Sequence, residues 1–372
     1  MRIILDIKFL SKKYQSGPYQ FLFETIIDMA RRHTSDSFIF LSHEPGKTLS
    51  SLPSNTSVEY IKKGPIHWLG EKWWYKNALP KRLKKFQPAL FVAADNLYVN
   101  NKELPTCLFI VQLNSLLEQA KTNNKFLKLL NRSFQQTSLI TFSKHSRQMI
   151  EKQTSIPKEK IKLLDLGLNK YIKPLMWTEK ESTKIQYAAG CEYFVFAGEF
   201  DPRHNLVGLL KAFSQFKKRQ QSNMQLILAG KKTVWLQELT EKLITFKYRS
   251  DVHIVTNPSP EDLDALICAA YAFVYPAQFD YFPLNILRAM KTAVPVIASK
   301  VPAIDEIAGA AVIYPATNDE DGFAKCMQDI YKDENLRSRT IEAANNHLRT
   351  AGQYDMIEDC WNFFESVYKS KS

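Results

Sequence analysis

FVFAGEFDPRHNLVGLLKAFSQFKKRQQSNMQLILAG, residues 194–230, and YAFVYPAQFDYFPLNILRAMKTAVPVIAS, residues 271–299, decide the fold. The first reads as a strand over 193–197, a helix over 206–219 and a strand over 225–229. The second reads as a strand over 272–275, a helix over 284–291 and a strand over 295–298, and the residues between add a helix, a strand and a helix over 234–246, 252–255 and 261–269. The strands are short, continuously apolar runs, the pattern of strands buried on both faces, and they alternate with helices. That order predicts a doubly wound parallel sheet of the Rossmann type.

The preceding half repeats the pattern. RIILDI opens as a strand, FLFETIIDMARR follows Gly17 at helical spacing, and apolar runs recur over 38–41, 58–61, 89–92, 106–111 and 139–142. Residues 170–190 are polar with little periodicity and read as a linker. The expected organisation is therefore α/β, with one Rossmann-like domain over 1–180 and a second over 181–355. The apolar stretch from Met356, with Trp361, Phe363 and Phe364, is either a helix bracing the first domain or a plain core helix.

The 372 residues suit two domains of ordinary size, and a composition 45% hydrophobic and 24% charged is that of a soluble globular chain. No run approaches eighteen apolar residues, so a cytoplasmic location is expected. Cys107, Cys191, Cys268, Cys326 and Cys360 are scattered, and the seven histidines form no metal-binding spacing, so neither a disulfide framework nor a zinc site is expected. Charge divides unevenly. Residues 1–180 hold 29 Lys and Arg against 14 Asp and Glu, whereas the rest hold 21 against 24. Such asymmetry points to a polyanionic partner for the first domain, with solubility charge as the plain alternative.

The two opening stretches resemble the donor-binding half of the retaining glycosyltransferases of family 4, and the resemblance extends more weakly over nearly the whole chain. It implies the GT-B architecture, two Rossmann-like domains facing across a cleft. The implied activity is transfer of a hexose from a nucleotide-sugar to a glycan or lipid-linked acceptor, with retention and without a metal or other cofactor.

That family places Gly-Arg and then Lys-Asn in the loop after the first donor-domain strand, where they stabilise the departing diphosphate. The matching residues are Gly198-Glu199 and His204-Asn205. Glu199 has the wrong sign for that task, and a neutral His204 supplies no cation. Arg203 and Lys231 are the candidate replacements. The family also carries a glutamate, seven residues and a second glutamate, which alignment puts at Asp280 and Arg288, with Leu284 and Asn285 between them. Asp280 keeps a carboxylate, while Arg288 has donors only and cannot accept from a ribose hydroxyl. Pro283 suits a helical first turn but brings no N–H for a phosphate. The exchanged signs at Glu199 and Arg288 lead to the expectation that the two side chains pair and fill the donor site.

In the first half, Gly17 matches the family's flexible loop after the first strand, and the His-Asp pair near the transferred sugar corresponds to Gln112-Leu113. Gln112 and Asp280 are thus the catalytic candidates, and Gly17, Gly198, Glu199, Arg203, His204, Lys231, Leu284, Asn285 and Arg288 the donor-binding ones. Ser143 reads as a helix cap and Leu166-Gly167-Leu168-Asn169 as a turn. Trp68, Trp73, Trp74 and Tyr75 among Lys72, Lys76, Lys81, Arg82, Lys84 and Lys85 suit either an anionic membrane interface or an aromatic core stripe with a solvated basic face. No nucleic-acid module accompanies them, so nucleic acid is not an expected partner. The five departures from the family pattern, at Gln112, Glu199, His204, Asp280 and Arg288, leave a second reading open, a non-catalytic partner or scaffold in a polysaccharide pathway.

Overall fold

A computed structural model describes residues 1–7, 17–42, 52–60, 75, 77, 79–95, 104–154, 156–165, 174–316, 319–351 and 354–370. The chain forms two compact units, Met1–Leu166 with Asp355–Ser372, and Gly167–Tyr354. Trp68, Trp73, Trp74, Lys72, Lys76 and the turn 166–169 lie outside the described residues.

The first unit carries a parallel sheet of strands β1 (Arg2–Asp6), β2 (Ser37–Ser42), β3 (Thr56–Tyr60), β4 (Leu90–Ala94), β5 (Thr106–Phe109), β6 (Ser138–Thr141) and β7 (Ile161–Leu163). Their order across the sheet is β3-β2-β1-β4-β5-β6-β7. The second unit holds β8 (Tyr193–Ala197), β9 (Gln225–Gly230), β10 (Val252–Thr256), β11 (Ala272–Tyr275) and β12 (Val296–Ala298), in the order β10-β9-β8-β11-β12. Every pairing is parallel, from Ile3 with Phe38 in the first sheet to Phe194 with Leu226 in the second. Both sheets reverse direction of growth once, between β1 and β4 and between β8 and β11, and such switch points at the carboxyl ends of strands are where doubly wound sheets bind ligands.

The continuous apolar runs form strands because both faces are covered. All five residues of β8 are buried, and Phe194 packs edge-on against Phe216 of the helix Leu206–Gln220. In the first unit Phe109 of β5 stacks on Phe142 and meets Phe364 edge to face.

One segment differs from expectation. The supposed linker contains the helix Trp177–Ala188, part of the second unit, so the expected boundary at 180 falls inside a helix. Thr183 and Ala188 are its only buried residues, which is why no apolar period marks it, and its start is secured by Glu179, whose carboxylate accepts the Met176 backbone N–H at 2.7 Å. The C-terminal helix Met356–Lys369 belongs to the first unit. Trp361 stacks on His33 with ring centres 3.8 Å apart, and Arg32 and Lys162 reach Asp355 and Asp359 at 2.5 Å each.

The basic helix Leu79–Phe86 buries Leu79 and Leu83 and leaves Lys81, Lys84 and Lys85 exposed. Tyr75 is also buried. For these residues the apolar-stripe reading describes what the side chains do.

Candidate functional site

In the second unit, the loops leaving β8, β9 and β11 carry most of the predicted donor-binding residues. A very close approach brings two of these loops together. A Cβ built on Gly230 would sit 1.5 Å from the carbonyl oxygen of Gly198, so only glycine fits at the end of β9. The loop after β8 then forms a short turn, Pro202–His204, started by Asp201, whose carboxylate accepts the Arg203 N–H at 2.9 Å. The Arg203 carbonyl accepts the N–H of Gln278 at 2.8 Å, tying this turn to the loop after β11.

Glu199 lies between two cations, with Lys231 Nζ at 3.2 Å and Arg203 Nη2 at 3.9 Å. Arg203 also approaches Asp201 at 3.7 Å. Burial opposes the charge on Arg203, but Asp280, Tyr275, Asp201 and Glu199 outweigh it and hold the guanidinium more firmly charged than usual. Arg203 and Lys231, on the loops leaving β8 and β9, thus both lie beside Glu199.

The expected Glu199–Arg288 pair does not form. Arg288 is buried in the helix Leu284–Lys291, with Nη1 3.4 Å from Asp264 and 3.5 Å from the Asn285 side-chain oxygen. The exchange of signs misled because each charge already has a nearer partner: Arg203 lies one turn from Glu199, and Asp264 lies on the neighbouring helix Pro260–Cys268. Asn285 is also committed, donating from its amide to the Ala197 carbonyl at the end of β8, at 3.0 Å. Leu284 is buried. Pro283 stands one position before the helix rather than in its first turn.

His204 is almost fully buried, 1% exposed. Its Nδ1 lies 2.7 Å from the Glu199 carbonyl oxygen and its Nε2 lies 3.1 Å from the Tyr275 hydroxyl. Burial, reinforced by Arg203, pushes the imidazole down to about 4, so His204 is no substitute cation at neutral pH. Tyr275, the last residue of β11, has its hydroxyl oxygen 2.5 Å from Oδ2 of Asp280. Burial and the adjacent Asp280 drive the phenol's ionisation far upward, so it stays protonated. Oδ1 of Asp280 accepts the N–H groups of Tyr281 and Phe282 at 2.7 and 3.0 Å. Tyr275 was not among the residues singled out by sequence; its only signal is a hydroxyl at the end of an otherwise apolar strand.

In the first unit a second missed residue lies at the switch point. Asp95 follows β4 with φ of 48°, and its carboxylate accepts the Val111 N–H at 2.9 Å, the Gln112 N–H at 3.1 Å and the Tyr19 hydroxyl at 2.7 Å. Burial raises its carboxyl to about 6 against these hydrogen bonds, which pull it down. Gln112 precedes the helix Leu113–Thr122, and Gly17 opens the helix Gly17–Arg32, which brings Tyr19 to Asp95. Ser143 caps the helix Lys144–Gln153, as expected, accepting the Ser146 N–H at 3.0 Å.

Among the described residues no cluster of His, Cys, Asp or Glu could hold a metal ion, and no helix is long and apolar enough to cross a membrane. All five cysteines are free thiols.

Two parallel α/β units of this kind, each with its switch point, define the GT-B class of fold. Residues 178–347, nearly all of the second unit, match the family described as glycosyl transferases group 1. The chain is 29% identical over 245 residues to O-antigen chain mannosyltransferase B of Escherichia coli, an alignment covering 65% of this chain and 63% of that relative. Among solved structures, sucrose-phosphate synthase from Thermosynechococcus elongatus superposes with a TM-score of 0.78 at 14% identity over 100% of both chains. Anabaena Alr3699/HepE in complex with UDP and glucose gives 0.74 at 15% identity, covering 99% of this chain and 100% of that one.

Proposed function

We propose that this protein transfers a hexose from a nucleotide-sugar to a glycan or lipid-linked acceptor during polysaccharide assembly, retaining the anomeric configuration. The observation that carries the reading is the pair Arg203 and Lys231 at the carboxyl ends of β8 and β9, beside the Gly198–Gly230 contact. A diphosphate leaving group needs cations and backbone N–H groups, and these are the cations the switch point offers. A relative named as an O-antigen mannosyltransferase and a similarly folded protein holding UDP and glucose support the same class of chemistry.

In this reading Arg203 and Lys231 face the diphosphate, and Asp280 and the start of the helix Leu284–Lys291 face the sugar and ribose. The donor phosphate takes the acceptor's proton, with no metal required. The acceptor meets the basic first unit, at an anionic membrane surface when it is lipid-linked. A partner or scaffold role is favoured by one feature, Glu199 set against both cations, because a diphosphate must displace that carboxylate or tolerate it.

Thermal shift and calorimetry with UDP-, GDP- and dTDP-sugars separate the two. A ligand at a hundredfold excess over its dissociation constant stabilises the native state by about 2.7 kcal/mol. Binding of one of them, abolished by Arg203→Ala, is the expected result. Failure of every nucleotide to bind, with Arg288→Ala destabilising the fold, would leave the scaffold reading.

A further inference from the structure

The charge of the first unit is sorted by face. Across its sheet the steps from β3 to β4 and from β5 to β6 run toward the β7 edge, whereas the step from β1 to β2 runs the other way. Right-handed crossovers therefore set the helices of the first two connections on one face and the helix Gly17–Arg32 on the opposite one. The helix Met356–Lys369 shares that opposite face. Phe38 and Phe40 point to the same side of β2, and they meet Trp361 and Phe23 respectively.

The helices Leu79–Phe86, Leu113–Thr122 and Asn124–Gln136 carry one carboxylate between them, Glu118. Lys81, Lys84 and Lys85 are exposed on the first of these helices, and Lys125, Lys128 and Arg132 on the last. The latter three follow the spacing i, i+3, i+7 and form one stripe, opposite the buried Leu130 and Phe134. None of the five lysines has a carboxylate partner among the described residues. The other face is the reverse. Gly17–Arg32 and Met356–Lys369 hold Glu24, Asp28, Glu358, Asp359 and Glu365, and cations there are paired, Arg31 with Asp28 and Lys369 with Glu365. Charge kept for solubility intersperses both signs. Here one sign is gathered on one side, where like charges repel one another and an external anion relieves them.

We propose that this face of the first unit docks on an anionic lipid bilayer through the exposed sides of the helices Leu79–Phe86 and Asn124–Gln136. Leu79, Leu83, Leu130 and Phe134 belong to the core, so the contact is made by the basic sides and is electrostatic. Five of the six cations are lysines, flexible point charges without the planar fork that reads a single phosphate in a fixed pose. That suits a fluid array of headgroups better than one bound anion. Leu127 and Leu129, half-buried, border the stripe on its two sides, and lysine stems lie along such apolar edges while their ammonium groups reach outward. Lys85 does this over the Phe86 ring, 5.8 Å from its centre. The contact deepens the acceptor side of the transfer reading and rests on it for its purpose, whereas vesicle binding is measured without donor or acceptor, so either can fail alone.

The test is sedimentation of the full-length protein with vesicles of phosphatidylcholine alone, or containing about 30% phosphatidylglycerol, at about 0.1 M and about 0.5 M salt. The protein should bind the anionic vesicles only and be released at the higher salt. A lysine near an anionic leaflet strengthens binding about fivefold, so Lys125→Gln combined with Lys128→Gln should weaken it about 25-fold. Lys325→Gln combined with Lys332→Gln removes the same charge from exposed positions of the second unit, and should change binding less than about twofold. Equal binding to neutral vesicles, or equal losses in the two double variants, would overturn the proposal. Retention by soluble polyphosphate without binding to the anionic vesicles would overturn it as well, and would give the face to a soluble polyanion.

Discussion

Replacing Gly230 by alanine tests the contact on which the second switch point is built. The new Cβ would lie 1.5 Å from the Gly198 carbonyl oxygen and 2.7 Å from its carbon, both backbone atoms, so no side-chain rotation relieves the clash. Restoring ordinary contact requires the ends of β8 and β9 to part by roughly 1.5 Å or more. Two backbone hydrogen bonds join these ends: Gly198 N–H to Ala229 at 3.0 Å and Phe200 N–H to Lys231 at 3.1 Å. A displacement of that size takes both out of hydrogen-bonding range, and at about 1 kcal/mol each the loss is about 2 kcal/mol before any cost of leaving the groups buried and unpaired. Gly208→Ala serves as the control. The three atoms nearest its Cβ, at 2.6 to 2.8 Å, all belong to the Asn205 side chain, which can rotate aside where backbone cannot, and alanine suits a helix better than glycine, so the change should stay within about 1 kcal/mol of wild type. Denaturant unfolding followed by far-UV circular dichroism measures both. A Gly230→Ala protein within 1 kcal/mol of wild type would refute the claim that glycine is obligatory there.

Two further outcomes concern the first unit. Trp361→Ala should cost about 3 to 5 kcal/mol, since the ring is buried and stacked on His33, and the loss should appear as earlier unfolding of the first unit in denaturant. Asp95, raised from 3.8 to about 6, binds its proton more tightly in the native state, so its contribution favours folding below pH 4 and is lost as pH rises to about 6. The cumulative loss is at most about 3 kcal/mol, and Asp95→Asn should flatten that part of the pH–stability profile.

The strands of both units were legible because parallel strands covered on both faces are written as uninterrupted apolar runs. YFVFA and QLILAG read as β8 and β9 at sight, and the helix Leu206–Gln220 ends one residue beyond its expected limit. The helix Trp177–Ala188 was not legible, since it buries too little to show a period. Of the site, the motif-bearing positions could be placed by resemblance, but their partners could not. Glu199 finds Lys231 32 residues away, across a strand pair, and His204 finds Tyr275 71 residues away. Such pairings depend on which strands lie side by side, and a scan for exchanged charges has no access to that. Tyr275 and Asp95 were missed for the same reason: each is one polar residue at a strand end, given meaning by loops that arrive from elsewhere in the chain.

The first unit is made from both ends of the sequence. Its closing helix, Met356–Lys369, follows the whole of the second unit, whose residues 167–354 are contiguous. On the ribosome the order of appearance and the order of completion therefore differ. Domains fold as units during synthesis. The second unit has everything it needs once residue 354 has emerged, whereas β1 to β7 must wait with the faces of His33 and Phe109 uncovered until Trp361 and Phe364 arrive. The half that is translated first is the half that is finished last.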